Sequence, residues 1–160
     1  MSVEIVEADF SDPAHGADLV MLLNAYACDP MGGGKPLNDK VKDRLVDELA
    51  QRSDAFSVLA YVDGEPAGLV NCFEGFSTFK AKPLVNIHDV VVLPEHRGKR
   101  LAQRMLERVE AIAKQRGCCK LTLEVLAGND TAQAAYKRFG FTGYELVASN
   151  GQALFWEKAL

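Results

Sequence analysis

The segment Val90-Val91-Val92-Leu93-Pro94-Glu95-His96-Arg97-Gly98-Lys99-Arg100-Leu101-Ala102 constrains the fold more than any other part of this chain. A β-branched run stops at a proline, which cannot donate to a strand ladder. A short basic turn carrying one glycine then opens into apolar positions at helical spacing. Strand, tight turn and helix in that order aim free backbone N–H groups and the positive end of a helix dipole at one spot. Arg97, Lys99 and Arg100 ring that spot. By itself the segment admits two readings: a cradle for pyrophosphate, or an ordinary strand–helix connection with a solvated basic turn.

The chain has 160 residues and is 48% hydrophobic and 25% charged, which fits a single globular domain spanning 1–160. No apolar run approaches the roughly 18 residues that read as a membrane span. The start, Met-Ser-Val-Glu-Ile-Val-Glu, lacks the basic and apolar stretches of a signal peptide. A cytoplasmic protein without a membrane partner is therefore expected. A net charge of −4 argues against nucleic acid as the partner, because phosphate backbones demand a broad basic face. Positive charge is instead local, at Arg97, Lys99, Arg100 and Arg104, which suits a small phosphorylated ligand. Cys28, Cys72, Cys118 and Cys119 form no C-x-x-C pair, and His15, His88 and His96 lack zinc-site spacing. No metal is expected, and the thiols are expected to be free and buried.

Periodicity and turn residues predict one mixed α/β domain with a largely antiparallel sheet. Strands are expected at 3–8, 56–62, 66–73, 84–93 and 120–126, with a closing hairpin from 141–147 and 152–158. Helices are expected from Asp12-Pro13 to about Tyr26, from Asn38 or Asp39 through Leu49, from about Lys99 to Arg116, and from Asp130 to about Phe139. Residues 30–36 and 74–83 read as connections.

A second signal follows at Asn129-Asp130-Thr131-Ala132-Gln133-Ala134-Ala135-Tyr136-Lys137-Arg138-Phe139-Gly140-Phe141. Taken alone, Asn129 reads as a helix cap and Tyr136 as a core tyrosine whose hydroxyl needs a partner. Together the two segments resemble the GNAT superfamily of N-acetyltransferases, which use acetyl-CoA. The family's phosphate-binding pattern, [Q/R]-x-x-G-x-[G/A], appears as Arg97-Gly98-Lys99-Arg100-Leu101-Ala102. Its later pattern, N-x-x-A-x-x-x-Y-x-x-x-G-F, appears as Asn129, Ala132, Tyr136 and Gly140-Phe141. The phrases DPMGGG, CFEGFSTFKA and NIHDVVV further resemble a bacterial subgroup of that family.

The resemblance implies a GNAT fold: one mixed, mostly antiparallel sheet of six to seven strands with four helices, splayed between the fourth and fifth strands. It implies that Val90, Val91 and Val92 pair their main chain with the pantetheine arm of acetyl-CoA. Arg97, Gly98, Lys99, Arg100, Leu101, Ala102 and Gln103 would hold the pyrophosphate, and Asn129 would hydrogen-bond the cofactor. Tyr136 would be the general acid that protonates the departing thiolate. A protonated amine cannot attack, so a base must take its proton first. His88 is the preferred candidate; Asp89, Glu124 and a water chain remain open. Strand alternation places His88 and Asp89 on opposite faces.

The acceptor is expected to be a primary amine of a small molecule, attacking the thioester directly. Its pocket would draw on 26–36 and 73–80, with Phe76 and Phe79 lining it or a homodimer contact, and Glu74 receiving a cationic amine. Cys72 and Cys119 keep a covalent route open, and a non-catalytic acyl-CoA sensor is the competing function. One residue departs from the family pattern. Arg100 stands where a glycine would let the backbone approach phosphate. Its stem must point away from the ligand, or its guanidinium must fold back onto a phosphate oxygen.

Overall fold

A computed structural model describes residues 1–143, 148–151 and 153–160. They divide into two compact units, Met1–Leu126 and Ala127–Leu160.

In the first unit, β1 (Val3–Glu7) leads to α1 (Pro13–Cys28), α2 (Asp39–Ala50), β2 (Ala55–Val62), β3 (Glu65–Ser77), β4 (Lys82–Val92), α3 (Leu101–Gln115) and β5 (Leu121–Leu123). Local chemistry explains the element boundaries. Asp12 accepts from the Ala14 N–H at 2.9 Å and Pro13 opens α1, while Asn38 accepts from the Lys40 N–H at 2.9 Å to start α2. Between β2 and β3, Asp63 and Gly64 both take positive φ, 49° and 83°, the requirement of a tight two-residue hairpin turn.

The five strands run in the order β1-β2-β3-β4-β5. All neighbours are antiparallel except β4 and β5, which are parallel. Leu19 and Leu22 of α1 and Leu49 of α2 are buried with Leu59, Leu69 and Val91 on one face of the sheet. On the other face, Leu101 at the start of α3 packs with Val62 and Ala67. Gly68 makes the close approach of α3 possible, because a Cβ there would lie 2.8 Å from Met105 Cε and 3.0 Å from the Val91 carbonyl oxygen.

β5 pairs with β4 only at Val85, Ile87 and the intervening Asn86. From His88 onward no strand partner covers that edge of β4 among the described residues, so the sheet opens between its fourth and fifth strands.

Several sequence expectations need correction. The described residues form five strands, not six to seven. Phe141–Gly143 and 153–158 carry no strand, and 144–147 and 152 of the expected hairpin lie outside the described residues. An alternating pattern makes a strand only where a ladder partner exists, and alternation cannot supply one. The connection expected at 74–83 is mostly ladder: Gly75 pairs with Leu84, Phe76 with Pro83 and Ser77 with Lys82. Pairing there overrides a composition that reads as loop. Of the cysteines, all free, only Cys72 is buried.

In the second unit, α4 (Asp130–Phe139) runs from its Asn129 cap to Gly140, whose φ of 114° ends it. Among the described residues, no helix is long and apolar enough to cross a membrane.

Candidate active site

The open edge of β4 has a defined polarity. The Leu93 N–H bonds the Ala67 carbonyl at 2.9 Å. Alternation along an antiparallel strand then turns the main-chain groups of Val91 toward β3 and those of Val90 and Val92 toward the open edge. The Val92 carbonyl accepts from Arg97 Nε at 3.3 Å.

Beyond β4, Pro94–His96 forms a 3₁₀ turn, and the chain enters α3 through two left-handed residues, Gly98 (φ 81°) and Arg100 (φ 59°, ψ 26°). Arg100 sits at the N-cap and makes no side-chain cap bond. The first helical N–H to find a backbone acceptor is that of Arg104, at 3.1 Å from the Arg100 carbonyl. The N–H groups of Leu101, Ala102 and Gln103 therefore remain available to an anion. Arg97 and Arg100 are exposed beside them, and Lys99 Nζ lies 3.3 Å from His96 Nδ1. Gln103 turns its side chain to Glu107, 3.1 Å away, so only its backbone serves the turn. Arg97 also reaches Asp29 after α1, at 3.8 Å. A phosphate group fits this arrangement, and the open β4 edge fits an extended amide-bearing arm.

His88 and Asp89 do not lie on opposite faces. The β3–β4 register shifts between Asn71 and Cys72: Asn71 pairs with Asp89 but Cys72 with Ile87, leaving His88 as an extra residue on β4. A bulge of this kind resets the alternation. Asp89 accepts from Asn71 Nδ2 at 3.1 Å, and the His88 ring stands edge-on to Phe73, 5.3 Å between centroids. Asn71 and Phe73 share a strand face, the one that carries α1 and α2. Both candidate bases thus occupy that face. His88 is exposed, with Nδ1 3.4 Å from Asn86 Oδ1. Glu124 falls just past the end of β5 and is exposed.

Other expected residues have different employment. Glu74 pairs with Arg116 at 3.0 Å, and the same guanidinium stacks over Phe56 at 4.8 Å; it locks α3 to the sheet rather than waiting for an amine. Phe76 and Phe79 stand exposed at the tip of the β3–β4 hairpin. Burial pushes the Cys72 thiol well above the usual range, and the Asp89 charge adds to it, so Cys72 holds no ready thiolate. Among the described residues no three His, Cys, Asp or Glu side chains converge to hold a metal ion.

In the second unit, Asn129 Oδ1 accepts from the Ala132 N–H at 3.2 Å, which uses one end of the amide as a helix cap. Tyr136 packs edge-to-face on Phe141, 5.9 Å between ring centroids, and Phe139 stacks on Phe141 at 6.0 Å. The Gly140 cap bends the chain back so that the Phe141 N–H bonds the Tyr136 carbonyl at 2.9 Å. The Gly-Phe ending of the second motif is in this way the device that seats the tyrosine ring.

Sequence reasoning passed over Ser57 and Asn71, and gave Tyr26 no role beyond the start of the acceptor pocket. Their signal was present: a serine inside Phe56–Val58 and an asparagine inside Leu69–Cys72 are polar residues within apolar strands. Burial and the neighbouring Asp89 and Asp29 charges, in that order, raise the Tyr26 phenol above its ordinary range and keep it protonated.

Comparison with known proteins bears on this geometry. The profile of the acetyltransferase (GNAT) family matches residues 19–141. The thialysine N-epsilon-acetyltransferase of Bos taurus is 31% identical over 121 residues, 65% of this chain and 68% of the bovine protein. The streptothricin acetyltransferase of Streptomyces lavendulae is 34% identical over 116 residues, 69% of this chain and 59% of that protein. Among solved structures, the aminoglycoside N-acetyltransferase AAC(6')-Iy in complex with CoA superposes with a TM-score of 0.78 at 18% identity, covering 99% of this chain and 96% of that one. At that identity the likeness speaks to the fold.

Proposed function

The chain belongs to the acetyltransferase (GNAT) family of acetyl-CoA-dependent N-acetyltransferases, and we propose that it moves the acetyl group to a primary amine of a small molecule by direct attack. The observation that carries this reading is the open edge of β4 running through the basic turn into the uncapped start of α3. Val90 and Val92 bond the amides of the pantetheine arm, with Val91 between them holding the strand to β3. The backbone of Gly98 to Gln103 and the side chains of Arg97, Lys99 and Arg100 take the pyrophosphate, and the free end of the Asn129 amide bonds the cofactor. Acetyl-CoA supplies the acetyl group as a thioester. His88 takes the proton that the amine must lose, an N–H on the open β4 edge meets the developing charge on the carbonyl oxygen, and Tyr136 gives its proton to the departing sulfur.

Names of relatives support the acceptor class. Thialysine, streptothricin and aminoglycosides, the molecules in those names, all carry amines. The family match spans parts of both compact units, which supports one acetyltransferase domain over 1–160. The exposed thiols of Cys28 and Cys119 suit a reducing cytoplasm. Phe76 and Phe79 offer an apolar contact to a second copy in a homodimer.

The test is release of free thiol from acetyl-CoA across a panel of polyamines, amino acids and aminoglycosides. Thiol release with at least one amine is expected, together with thermal protection by acetyl-CoA and none by ATP or NAD. Binding without thiol release for every amine would leave an acyl-CoA sensor instead.

A further inference from the structure

Across the sheet face that carries α1 and α2, three register partners on adjacent strands form one polar rung: Ser57 on β2, Asn71 on β3 and Asp89 on β4. Ser57 Oγ donates to Asn71 Oδ1 at 2.6 Å, and Asn71 Nδ2 donates to Asp89 Oδ2 at 3.1 Å. Ser57 and Asn71 are 1% and 4% exposed, in a sheet whose other central positions are apolar. Two buried polar side chains in that setting cost stability unless each bond is made. Aliphatic residues at both positions would avoid that cost.

The rung also has a direction. An asparagine amide presents an acceptor at one end and donors at the other. With the Ser57 hydroxyl donating to Oδ1, the N–H groups must point toward Asp89. The opposite orientation would set an amide oxygen against a carboxylate oxygen. Asn71 is therefore committed to donating to Asp89 through Oδ2. Asp89 Oδ1 has no hydrogen-bond partner among the described residues, and it is not sealed from solvent. Asp89 stands at the bulge, next to His88 and on the same face, at the start of the open β4 edge.

We propose that Asp89 Oδ1 anchors the ammonium of the acceptor amine and that Asn71, oriented by Ser57, is the positioning residue that aims it. This rests on the acetyltransferase reading above and narrows it to acceptors that arrive as cations. The anchored ammonium lies beside His88, which receives its proton; the neutral amine then attacks. Burial and the Asp89 charge keep the Tyr26 phenol on α1 protonated.

A mutant cycle on the intact protein tests the assignment. Asn71→Ala lowers kcat/KM for the amine by about ten- to a hundred-fold, the effect of losing one charge-assisted bond and its aim, while acetyl-CoA affinity holds. In an Asp89→Asn background the same substitution changes little, since the charge it positions is gone. Additive losses, or a parallel loss of acetyl-CoA affinity, would overturn the proposal and leave Asn71 a structural residue. Should Asn71→Ala fail to fold, Ser57→Ala in both backgrounds gives the same cycle with a smaller effect. An arm independent of turnover keeps this separate from the function itself. The Asn71 side-chain amide proton should move upfield in Asp89→Asn, as a charge-assisted bond becomes a neutral one, and an unchanged shift would sink the rung even if no amine on the panel were acetylated.

Discussion

Gly98 and Arg100, two residues apart in the turn before α3, both hold left-handed backbone, at φ 81° and 59°. The same sequence turn thus satisfies one of its two left-handed positions with glycine and the other with an arginine. A side chain at positive φ crowds its own carbonyl, so Arg100 is retained against a local cost.

Replacing Arg100 by glycine should relieve that strain. After subtracting the extra freedom of glycine in the unfolded chain, a gain of about 0.5–1 kcal/mol is expected, read as a rise in Tm of a few degrees. The affinity for acetyl-CoA should change, because a guanidinium leaves the turn proposed to hold the pyrophosphate, while the ranking of amines should not. A changed amine ranking would mean that Arg100 faces the acceptor.

Tyr136→Phe keeps the ring that packs on Phe141 and removes only the hydroxyl. The helix and its Gly140 cap should survive, and acetyl-CoA affinity with them. Loss of a general acid lowers kcat by roughly 10²–10⁴-fold. Stopped assays that returned wild-type kcat would remove Tyr136 from the chemistry.

Gly68→Ala tests the seating of α3 on the sheet. The added methyl meets Met105 Cε at 2.8 Å and the Val91 oxygen at 3.0 Å. Met105 can yield, but the strand carbonyl cannot, so a loss of about 1–3 kcal/mol is expected in urea unfolding. Because α3 starts at the turn proposed to hold the pyrophosphate, acetyl-CoA affinity should fall as well. A variant as stable as wild type would show that the helix sits farther from β3.

Cys72 should resist alkylation in the folded protein at neutral pH, while the exposed Cys28 and Cys119 react. Burial and the Asp89 charge both raise its thiol, so the reactive thiolate is absent until pH climbs well above neutral. Cys72→Ala should keep kcat within a few-fold. A dead alanine variant with normal folding would revive the covalent route.

Much of this molecule could be read along the chain. Pro94, Gly98 and the apolar spacing from Leu101 to Ala113 announce a strand, turn and helix, because each acts within a few residues. Asn129 and Gly140 announce both ends of α4 for the same reason. The caps at Asp12 and Asn38 were legible too, since capping is a contact between near neighbours. Pairing was not. The extra residue at His88 is visible only once Asn71 is set against Asp89 and Cys72 against Ile87, and that register turns two residues expected on opposite faces onto one. The polar rung through Ser57, Asn71 and Asp89 joins positions far apart in sequence, so no local pattern could order it. The expected strand count failed on the same ground. Alternation shows that a segment can be a strand, whereas hydrogen bonds to a neighbour decide that it is one. The sequence by itself thus determined the helices, the basic turn before α3 and the family; the tertiary structure alone decided the sheet edge and the face that His88 and Asp89 share, because a ladder's register is a property of two strands and not of either.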